Sequence, residues 1–452
     1  MASAETQAPF DLLLEGATAI PGEPHDAIIE DAVIGIRDGR LTMIGPRNTA
    51  EGPLDARRRL HLSGRVITPG FVNVHTHAIL TMVRGVAEDM GFAPAYTPGV
   101  PHGHDVTPEE AVALARLGAL EALLFGSTLI NDSYVHAGHT LPAMGELGMR
   151  VYSCGRIHDV DFSRVHEQIW EHKPEIGEKT LSEAEALAER WHGAMDGRLG
   201  VHIAAHAPDT CSRQLLEAVR EVRDRRNLGV NTHLAQSRIE VERIHERDGM
   251  SPAELLEDVG LLDERLIAAH CLFLTEDDIA RVGRQRINVA HIPKGNATGG
   301  TAAGTSDLRR AGARITLATD NMHADMVEVM RWALNIGRLQ EQAVTEFWQP
   351  AGVLEMATQA GARALGLDDE IGSLAVGKKA DLVIFDFRRA HLTPATNVLG
   401  NLVHVAHGRD VETVIVDGRI VVEDGRATLV DQDAIRQDAG AAAAALWARA
   451  RA

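Results

Sequence analysis

The chain has 452 residues, 45% of them apolar, which is enough for one large domain with an accessory unit and a substantial core. Its 45 Lys and Arg against 64 Asp and Glu give a net charge of −19, which argues against nucleic acid and anionic membranes as partners, since both need basic surface. Three widely spaced cysteines, no leader-like N-terminus and no apolar run of about 18 residues predict a cytoplasmic protein without disulfides, signal peptide or membrane span.

Both ends of the chain have the pattern of short strands separated by turns. In the first 65 residues the strand-like runs are Asp11–Glu15, Ala32–Ile36 and Leu41–Ile44, and after about residue 372 they are Asp381–Phe385 and Thr413–Val416. We expect residues 1–65 and 372–431 to pair into one small β-sandwich-like domain. The Ala-rich residues 432–452 predict a C-terminal helix.

The middle of the chain alternates between apolar runs and helical patterns. The eight strand candidates are Val72–Val74, Ser127–Ile130, Arg150–Ser153, Gly200–Ala204, Gly229–Asn231, Leu266–Ala268, Ile287–Ala290 and Ile315–Leu317. Eight strands separated by helices indicate an α/β fold of the (β/α)₈ TIM-barrel type over residues 66–371. The 245 residues from His75 to Asp320 are close to the length of about 250 that is typical of this barrel.

Four of the apolar runs end in groups that can bind a metal or carry a proton. The first ends in His75 and His77, which share one face of an extended strand because residues i and i+2 point the same way. Later runs end at His233, His270 and Asp320. Since a barrel brings the carboxyl ends of its strands to one face, these groups predict a metal site there.

The motifs around these positions identify a family. They are PGFVNVHTH (69–77), HAPDTCS (206–212), HLAQ (233–236), AHC (269–271) and GSLAVGKKADLV (372–383). Over nearly its whole length the chain resembles the amidohydrolase superfamily, in the branch of cytosine deaminase, S-adenosylhomocysteine deaminase and the triazine hydrolases. The motifs are specific for superfamily and branch, and much less so for substrate.

The resemblance implies one divalent metal, Zn²⁺ or alternatively Fe²⁺, held by His75, His77, His233 and Asp320. Asp320 would also accept a proton from the metal-activated water, and His270 would hold that water or polarise the substrate. Relatives with two metals bridge them through a carboxylated lysine at the end of strand four. This chain has His206 there, which favours one metal.

One departure from the family concerns the catalytic acid. Deaminases of this branch typically carry a glutamate three residues after the strand-five histidine, where it protonates the substrate ring. This chain has Gln236, whose amide hydrogen-bonds but does not donate a proton as a carboxylic acid does. Some triazine hydrolases are similar in having glutamine at this place. Gln236 therefore belongs to the predicted catalytic set, either as a hydrogen-bonding group or with another acid supplying the proton.

Other candidate residues concern substrate binding. His206 at a strand end is expected over the pocket. Lys294 stands in a segment that is often Pro-Ser-Ser-Asn in relatives, and is either a cation near the substrate or a solvated loop residue. His323 follows strand eight, where relatives often have small residues, and is a further candidate. The loop from 90 to 104 is a candidate lid, with Tyr96, His102 and His104 of open role.

These observations predict a metal-dependent hydrolase that cleaves a C–N bond of a small, nitrogen-rich, heterocyclic substrate. The alternative is hydrolysis of an amide, urea or carbamate, or displacement of a halide or thioether, because a good leaving group needs less protonation than an amine. A binding protein without catalysis is disfavoured, since such relatives usually lose metal ligands and this chain keeps the full set. The resemblance also implies a homodimer or larger homo-oligomer.

Overall fold

Five strands open the chain, and the first of them pairs with three of the others. They are β1 (Phe10–Ala19), β2 (Ile29–Arg37), β3 (Arg40–Pro46), β4 (Ala56–His61) and β5 (Arg65–Pro69). β1 pairs antiparallel with β2 and parallel with β4 and β5. The computed structural model describes residues 9–24, 27–50, 52, 54–90, 97, 99–321 and 323–452.

The next eight strands are parallel and form a barrel, as predicted. They are β6 (Phe71–Thr76), β7 (Ser127–Tyr134), β8 (Arg150–Ile157), β9 (Leu199–Ala205), β10 (Val230–Leu234), β11 (Leu266–His270), β12 (Asn288–His291) and β13 (Arg314–Leu317). Each predicted apolar run overlaps one of these strands. Small and branched apolar side chains, such as Val72, Leu129 and Ile267, cluster where the strands meet. The barrel is therefore a packed core rather than a channel.

The first and last barrel strands meet just beyond the end of β13. Asp320 donates its N–H to the carbonyl of His75 at 3.1 Å, and its own carbonyl accepts the N–H of His77 at 3.0 Å. The Thr76 hydroxyl donates to the same carbonyl at 2.8 Å. Four residues that carry or flank the predicted site, namely His75, Thr76, His77 and Asp320, thus also close the barrel.

Four more strands follow the barrel: β14 (Leu382–Asp386), β15 (Val411–Val416), β16 (Arg419–Glu423) and β17 (Arg426–Ala427). They extend the N-terminal strands into one mixed sheet because β14 pairs antiparallel with β5. β5 passes into β6 through Gly70, where a Cβ would lie 2.1 Å from the Thr128 hydroxyl oxygen, so only glycine fits. The two chain ends therefore pair, as the sequence predicts.

Helices connect the strands and cover the barrel. In the described residues they are α1 (Pro108–Leu124), α2 (Ala137–Gly145), α3 (Pro174–Trp191), α4 (Ala194–Gly197), α5 (Arg213–Arg226), α6 (Arg238–Asp248), α7 (Pro252–Asp258), α8 (Glu276–Arg284), α9 (Pro293–Thr298), α10 (Thr305–Ala311), α11 (Met326–Glu341), α12 (Pro350–Ala357), α13 (Gln359–Ala364), α14 (Val398–His404) and α15 (Gln432–Ala450). α1 starts with a capping box, in which Thr107 and Glu110 cap each other's backbone N–H. Across the described part of the chain, no helix combines the length and apolar character needed to cross a membrane.

A buried ion cluster joins the barrel to the mixed sheet. Arg150 on β8 donates to both carboxylate oxygens of Asp381, at 2.7 and 3.1 Å, and also to Asp417. Arg150 and Asp381 are only 5% and 3% exposed. Burial alone would lower the pKa of Arg150, but the two carboxylates outweigh it and raise that pKa. The guanidinium therefore stays charged in the core.

We expect Asp381→Ala to lower the free energy of unfolding by about 3–5 kcal/mol, because it leaves the Arg150 charge buried without its bidentate partner. Urea unfolding followed by circular dichroism measures the change. The matched control is Glu167→Ala, which removes an exposed partner of Arg164 and should cost less than about 1 kcal/mol. Equal losses in the two variants would contradict a special role for the buried cluster.

Candidate metal centre and active site

The four predicted metal ligands come together at the carboxyl ends of the barrel strands. His75 and His77 lie at the end of β6, His233 is on β10, and Asp320 follows β13. Asp320 Oδ1 is 3.5 Å from His75 Nε2 and 3.4 Å from His77 Nε2, and His77 Nε2 is 3.4 Å from His233 Nε2. Tetrahedral ligands at about 2.1 Å from an ion are about 3.4 Å apart. The spacing therefore fits one ion.

Two of the imidazoles are held by hydrogen bonds at Nδ1, so that the lone pair at Nε2 of each ring points into this cluster. His77 Nδ1 donates to the carbonyl of Ser133, and His233 Nδ1 donates to the carbonyl of His206, each at 2.6 Å. Both rings are then protonated at Nδ1, which leaves Nε2 free to bind a metal. His75 Nε2 is buried and has no hydrogen-bond partner among the described residues. An ion in the cluster would satisfy it.

The charge states of these groups also suit a metal. Burial lowers the pKa of His77 to about 3, with a contribution from His75, and burial lowers the pKa of His233 well below its usual value. For Asp320, burial would raise the pKa, but the adjacent imidazoles of His75, His270 and His77 lower it overall. His77 and His233 are therefore neutral imidazoles and Asp320 is a carboxylate, and imidazole and carboxylate are donors that zinc and iron accept.

The backbone at these strand ends is held in an unusual conformation. Ala235, His270, Cys271 and Asp320 have φ values of +47°, +73°, +53° and +64°, in the left-handed region that residues other than glycine seldom adopt. Strained residues of this kind cluster at functional sites, where the surrounding structure holds them in place.

His270 stands beside the cluster and is oriented by a residue that sequence reasoning missed. Its Nδ1 donates to Oδ1 of Asn296 at 2.9 Å, so its Nε2 carries a lone pair. The ligand atoms of His75, His270 and Asp320 lie within 4.8 Å of one another. Asn296 is the last residue of the Pro-Lys-Gly-Asn segment after β12. Relatives often have Pro-Ser-Ser-Asn there, so the shared asparagine is the sequence signal that could have identified this residue.

A cavity of about 540 Å³ opens onto the cluster. All the residues predicted to act on the substrate line it, namely His206, Gln236, His270, Lys294, Asp320 and His323. Tyr134 and Arg156 also line it and were not predicted. The arrangement places the candidate metal ligands at one wall of a space in the size range of small-molecule pockets, about 300–1,000 Å³.

His206 connects the cluster to Arg156. Arg156 donates to His206 Nε2 at 2.9 Å, and His206 Nδ1 donates to the Thr210 hydroxyl at 2.8 Å. Burial and the guanidinium of Arg156 keep the pKa of His206 well below its usual value. The guanidinium carbon lies 5.2 Å from the ring centre of Tyr134 and 4.9 Å from that of Phe162. This wall is therefore polar and rigidly held.

Gln236 is positioned by a buried carboxyl group. Glu240 accepts the N–H of Ala235 and the N–H of Gln236, each at 2.8 Å, and is fully buried. Burial raises the pKa of Glu240 well above its usual value, and the nearby Asp209 adds to this. Glu240 lies four residues after Gln236 in the chain. Nothing in the sequence pattern showed that its carboxylate turns back to the backbone N–H groups of Ala235 and Gln236.

The remaining candidates occupy the wall near Asp320. Lys294 lines the cavity while pairing with Glu328 at 2.8 Å, so its charge is compensated rather than free in solvent. His323 lines the cavity with both ring nitrogens buried and without a partner among the described residues. The His104 ring stacks on Phe162, with ring centres 4.8 Å apart. Tyr96 lies outside the described residues, and the lid stays a prediction.

Comparison with known proteins agrees with this geometry. A model of the amidohydrolase family matches residues 66–421. A 5-methylthioadenosine/S-adenosylhomocysteine deaminase of Desulforudis audaxviator is 35% identical over 437 residues, which cover 95% of this chain and 97% of that protein. A 5'-deoxyadenosine deaminase of Methanosarcina barkeri is 33% identical over 452 residues, covering 98% of this chain and 100% of that protein.

A solved structure is similar over almost the whole chain. The crystal structure of an adenosine deaminase from Xanthomonas campestris with bound zinc has a TM-score of 0.87 and 27% identity, covering 97% of this chain and 99% of that one. The barrel, the cluster at its strand ends and these similarities lead to one conclusion. The chain belongs to the amidohydrolase family, and it is a metal-dependent hydrolase that acts on carbon–nitrogen bonds.

Proposed function

We propose that this enzyme holds one divalent ion, Zn²⁺, through His75, His77, His233 and Asp320. The support is the separation of 3.4–3.5 Å between their ligand atoms together with the unpartnered His75 Nε2. β9 ends at Ala205, and no lysine stands there to bridge a second ion. Fe²⁺ fits the same donors and is the alternative.

We propose that the substrate is an aminated purine nucleoside of the adenosine type, and that the reaction replaces the ring amine by a carbonyl. This proposal deepens the predicted class of nitrogen-rich heterocycles. It is supported by the names of the relatives, which are adenosine-type deaminases. A second support is the cavity of about 540 Å³ beside the candidate metal ligands, which is large enough for a nucleoside.

We assign the following catalytic and binding roles to the side chains around the cavity. A bound divalent ion supplies Lewis acidity, which lowers the pKa of water from about 15.7 toward 7. Asp320 accepts a proton from the attacking water, and His270 holds that water by a hydrogen bond at Nε2. Gln236 donates a hydrogen bond to the substrate ring. Substrate contacts come from His206, Lys294 and His323.

A second candidate function follows from Gln236. An amide holds a substrate atom but does not protonate it, which is sufficient when the leaving group departs without a proton. Hydrolysis of an amide, urea or carbamate, or displacement of a halide or thioether from a triazine-like ring, is therefore the alternative. A screen of metal-loaded enzyme on aminopurine nucleosides, aminopyrimidines, triazines, ureas and carbamates tests both. Ammonia release from nucleosides supports the first function, and release only of better leaving groups supports the second.

We expect Gln236→Glu to raise kcat for ammonia release from an aminopurine nucleoside at least tenfold, because a positioned general acid contributes about 10²–10⁴-fold. Steady-state ammonia release measures the change. Gln236→Asn is the matched control: it alters the side-chain length without adding an acid and should not raise kcat. A glutamate variant with unchanged or lower kcat would show that protonation at this position does not limit the reaction.

The remaining predictions concern the whole molecule. We propose a division into a β-domain from residues 1–65 and 372–431, a barrel domain from 66–371, and a C-terminal helix from 432–452. We also propose that the enzyme works in the cytoplasm as a homodimer or larger homo-oligomer. Light scattering coupled to gel filtration tests the oligomeric state, and a monomer would contradict that proposal.

A further inference from the structure

The C-terminal helix α15 is bonded to two segments of the substrate-cavity wall. We call residues 78–90 the first wall segment and residues 101–105 the second, because Leu80, Val83 and Gly103 in them line the cavity. α15 packs against α1, and its last two turns contact both segments. Among the residues that the structure describes, none from α15 lines the cavity. The helix therefore acts on the cavity only through the segments that it holds.

Trp447 bonds the first wall segment to α15. Its half-buried indole donates from Nε1 to the carbonyl of Met82 at 2.8 Å. Met82 lies in a short 3₁₀ helix, Ala78–Val83, between two residues that line the cavity. The first N–H of this helix donates to Asp132 at 2.8 Å. Because a 3₁₀ helix has poor internal hydrogen-bond geometry, these two outside partners largely fix where the segment lies.

Arg449, in the last turn of α15, bonds the second wall segment. Its guanidinium donates to the carbonyl of Asp105 at 3.3 Å and to both carboxylate oxygens of Glu110, each at 2.7 Å. The backbone of this segment lies so close to its neighbour that a Cβ on Gly103 would be 2.1 Å from the Tyr134 hydroxyl. A small displacement of the segment therefore changes the space beside Tyr134, which also lines the cavity.

The two contacts differ in their expected strength. The Arg449 side chain is 49% exposed, and exposed ion pairs contribute little because water screens them. Met82 is only 4% exposed, so its carbonyl would lose a partner that water does not readily replace. We therefore expect the bond from Trp447 to matter more than the bonds from Arg449.

We propose that Trp447 and Arg449 are positioning residues for substrate binding, which hold the two wall segments in the conformation that accepts substrate. The inference rests on the proposed function, because it takes this cavity as the substrate site. If a loosened wall is competent to bind for only a fraction of the time, the apparent affinity falls by that fraction. The metal ligands are held separately, since His77 is bonded to the carbonyls of Ser133 and Asp320. Loss of either contact should therefore raise KM and leave kcat unchanged.

The first experiment is Trp447→Phe, which keeps an aromatic ring and removes the N–H. We expect KM for an aminopurine nucleoside to rise about fivefold, as the loss of one shielded hydrogen bond implies, and kcat to stay within about twofold of the wild type. The zinc content of the loaded enzyme should match that of the wild type. The matched control is Trp191→Phe at the end of α3, where Nε1 is buried without a partner among the described residues. Its KM should not change.

A second pair of variants tests the other contact and keeps the proposal testable if Trp447→Phe fails to fold. Arg449→Gln should raise KM about twofold, because an exposed ion pair is lost. The matched control is Arg436→Gln on the same helix, whose side chain is 71% exposed and pairs with Asp433. Calorimetric titration with the oxopurine nucleoside product should rank the affinities of all four variants in the same order without turnover.

The outcomes separate this inference from the proposed function. Unchanged KM and product affinity in both Trp447→Phe and Arg449→Gln would overturn it. A fall in kcat at unchanged KM would also overturn it, because the helix would then support the catalytic groups instead of the cavity wall. Both results leave deamination intact. If the wild type releases no ammonia from nucleosides, the proposed function fails, and KM for the carbamate or triazine that it hydrolyses decides the role of α15 in the same variants.

Discussion

Asp320→Asn is expected to reduce kcat by about 10³-fold, within the range of 10²–10⁴ that proton transfer by a positioned side chain contributes. The asparagine keeps the size and one oxygen of the side chain, so the backbone bonds of Asp320 to His75 and His77 stay in place. It removes the group that accepts the proton of the attacking water. Steady-state kinetics with metal analysis of the same sample measures the effect.

The matched control is Asp307→Asn, an exposed aspartate on α10 that pairs only with the neighbouring Arg310 among the described residues. Its activity should equal that of the wild type. If Asp320→Asn binds its metal fully and still turns over near the wild-type rate, Asp320 does not accept the proton.

Removal of the metal is expected to abolish activity and to lower stability. Without an ion, the buried ligand atoms lose the partner that their geometry provides, and His75 Nε2 has no other in the described structure. A ligand that binds only the folded state at about 1,000 times its Kd stabilises it by about 4 kcal/mol. Dialysis against a chelator should therefore lower the urea midpoint, and zinc should restore both properties at about one equivalent. Two equivalents would contradict the single site.

A variant refines the same prediction. His233→Ala should lose metal and activity together, because it removes a ligand whose Nε2 is aimed by the carbonyl of His206. His245→Ala is the control: this histidine is exposed on α6, twelve residues later in the chain, and should change neither property. A metal-replete and active His233→Ala would exclude His233 as a ligand.

The barrel could be predicted because its strands are buried on both sides. Leu266–Ala268 is continuously apolar and Val72–Val74 is apolar apart from Asn73, so such runs stand out from the amphipathic helices around them. The ends of those runs also place the functional groups at one face. This is why the cluster of His75, His77 and Asp320 was predictable from strand positions and motif resemblance alone.

The rest of the site depends on contacts that sequence order does not show. Asn296 is hydrogen-bonded to His270, which lies 26 residues earlier in the chain. Arg150 is hydrogen-bonded to Asp381, which lies 231 residues later. Arg156 bonds to His206 only because β8 and β9 lie side by side. Apart from Asn296, which matches the family's pattern, no local pattern distinguishes these side chains from ordinary solvated ones, so they become recognisable only once the loops and strands are in place.

The bridge between Asp320 and β6 would give the proposed ion a second role, in the stability of the closed barrel. His75 and His77 are made 245 and 243 residues before Asp320, yet all three belong to one cluster at the seam where the ring of strands closes. During synthesis, the chain therefore contains the proposed ligands His75 and His77 long before Asp320, the last of the four, is made. An ion held by the proposed ligand set would join the first and last strands at this seam, so its removal would weaken the closed barrel as well as the active site.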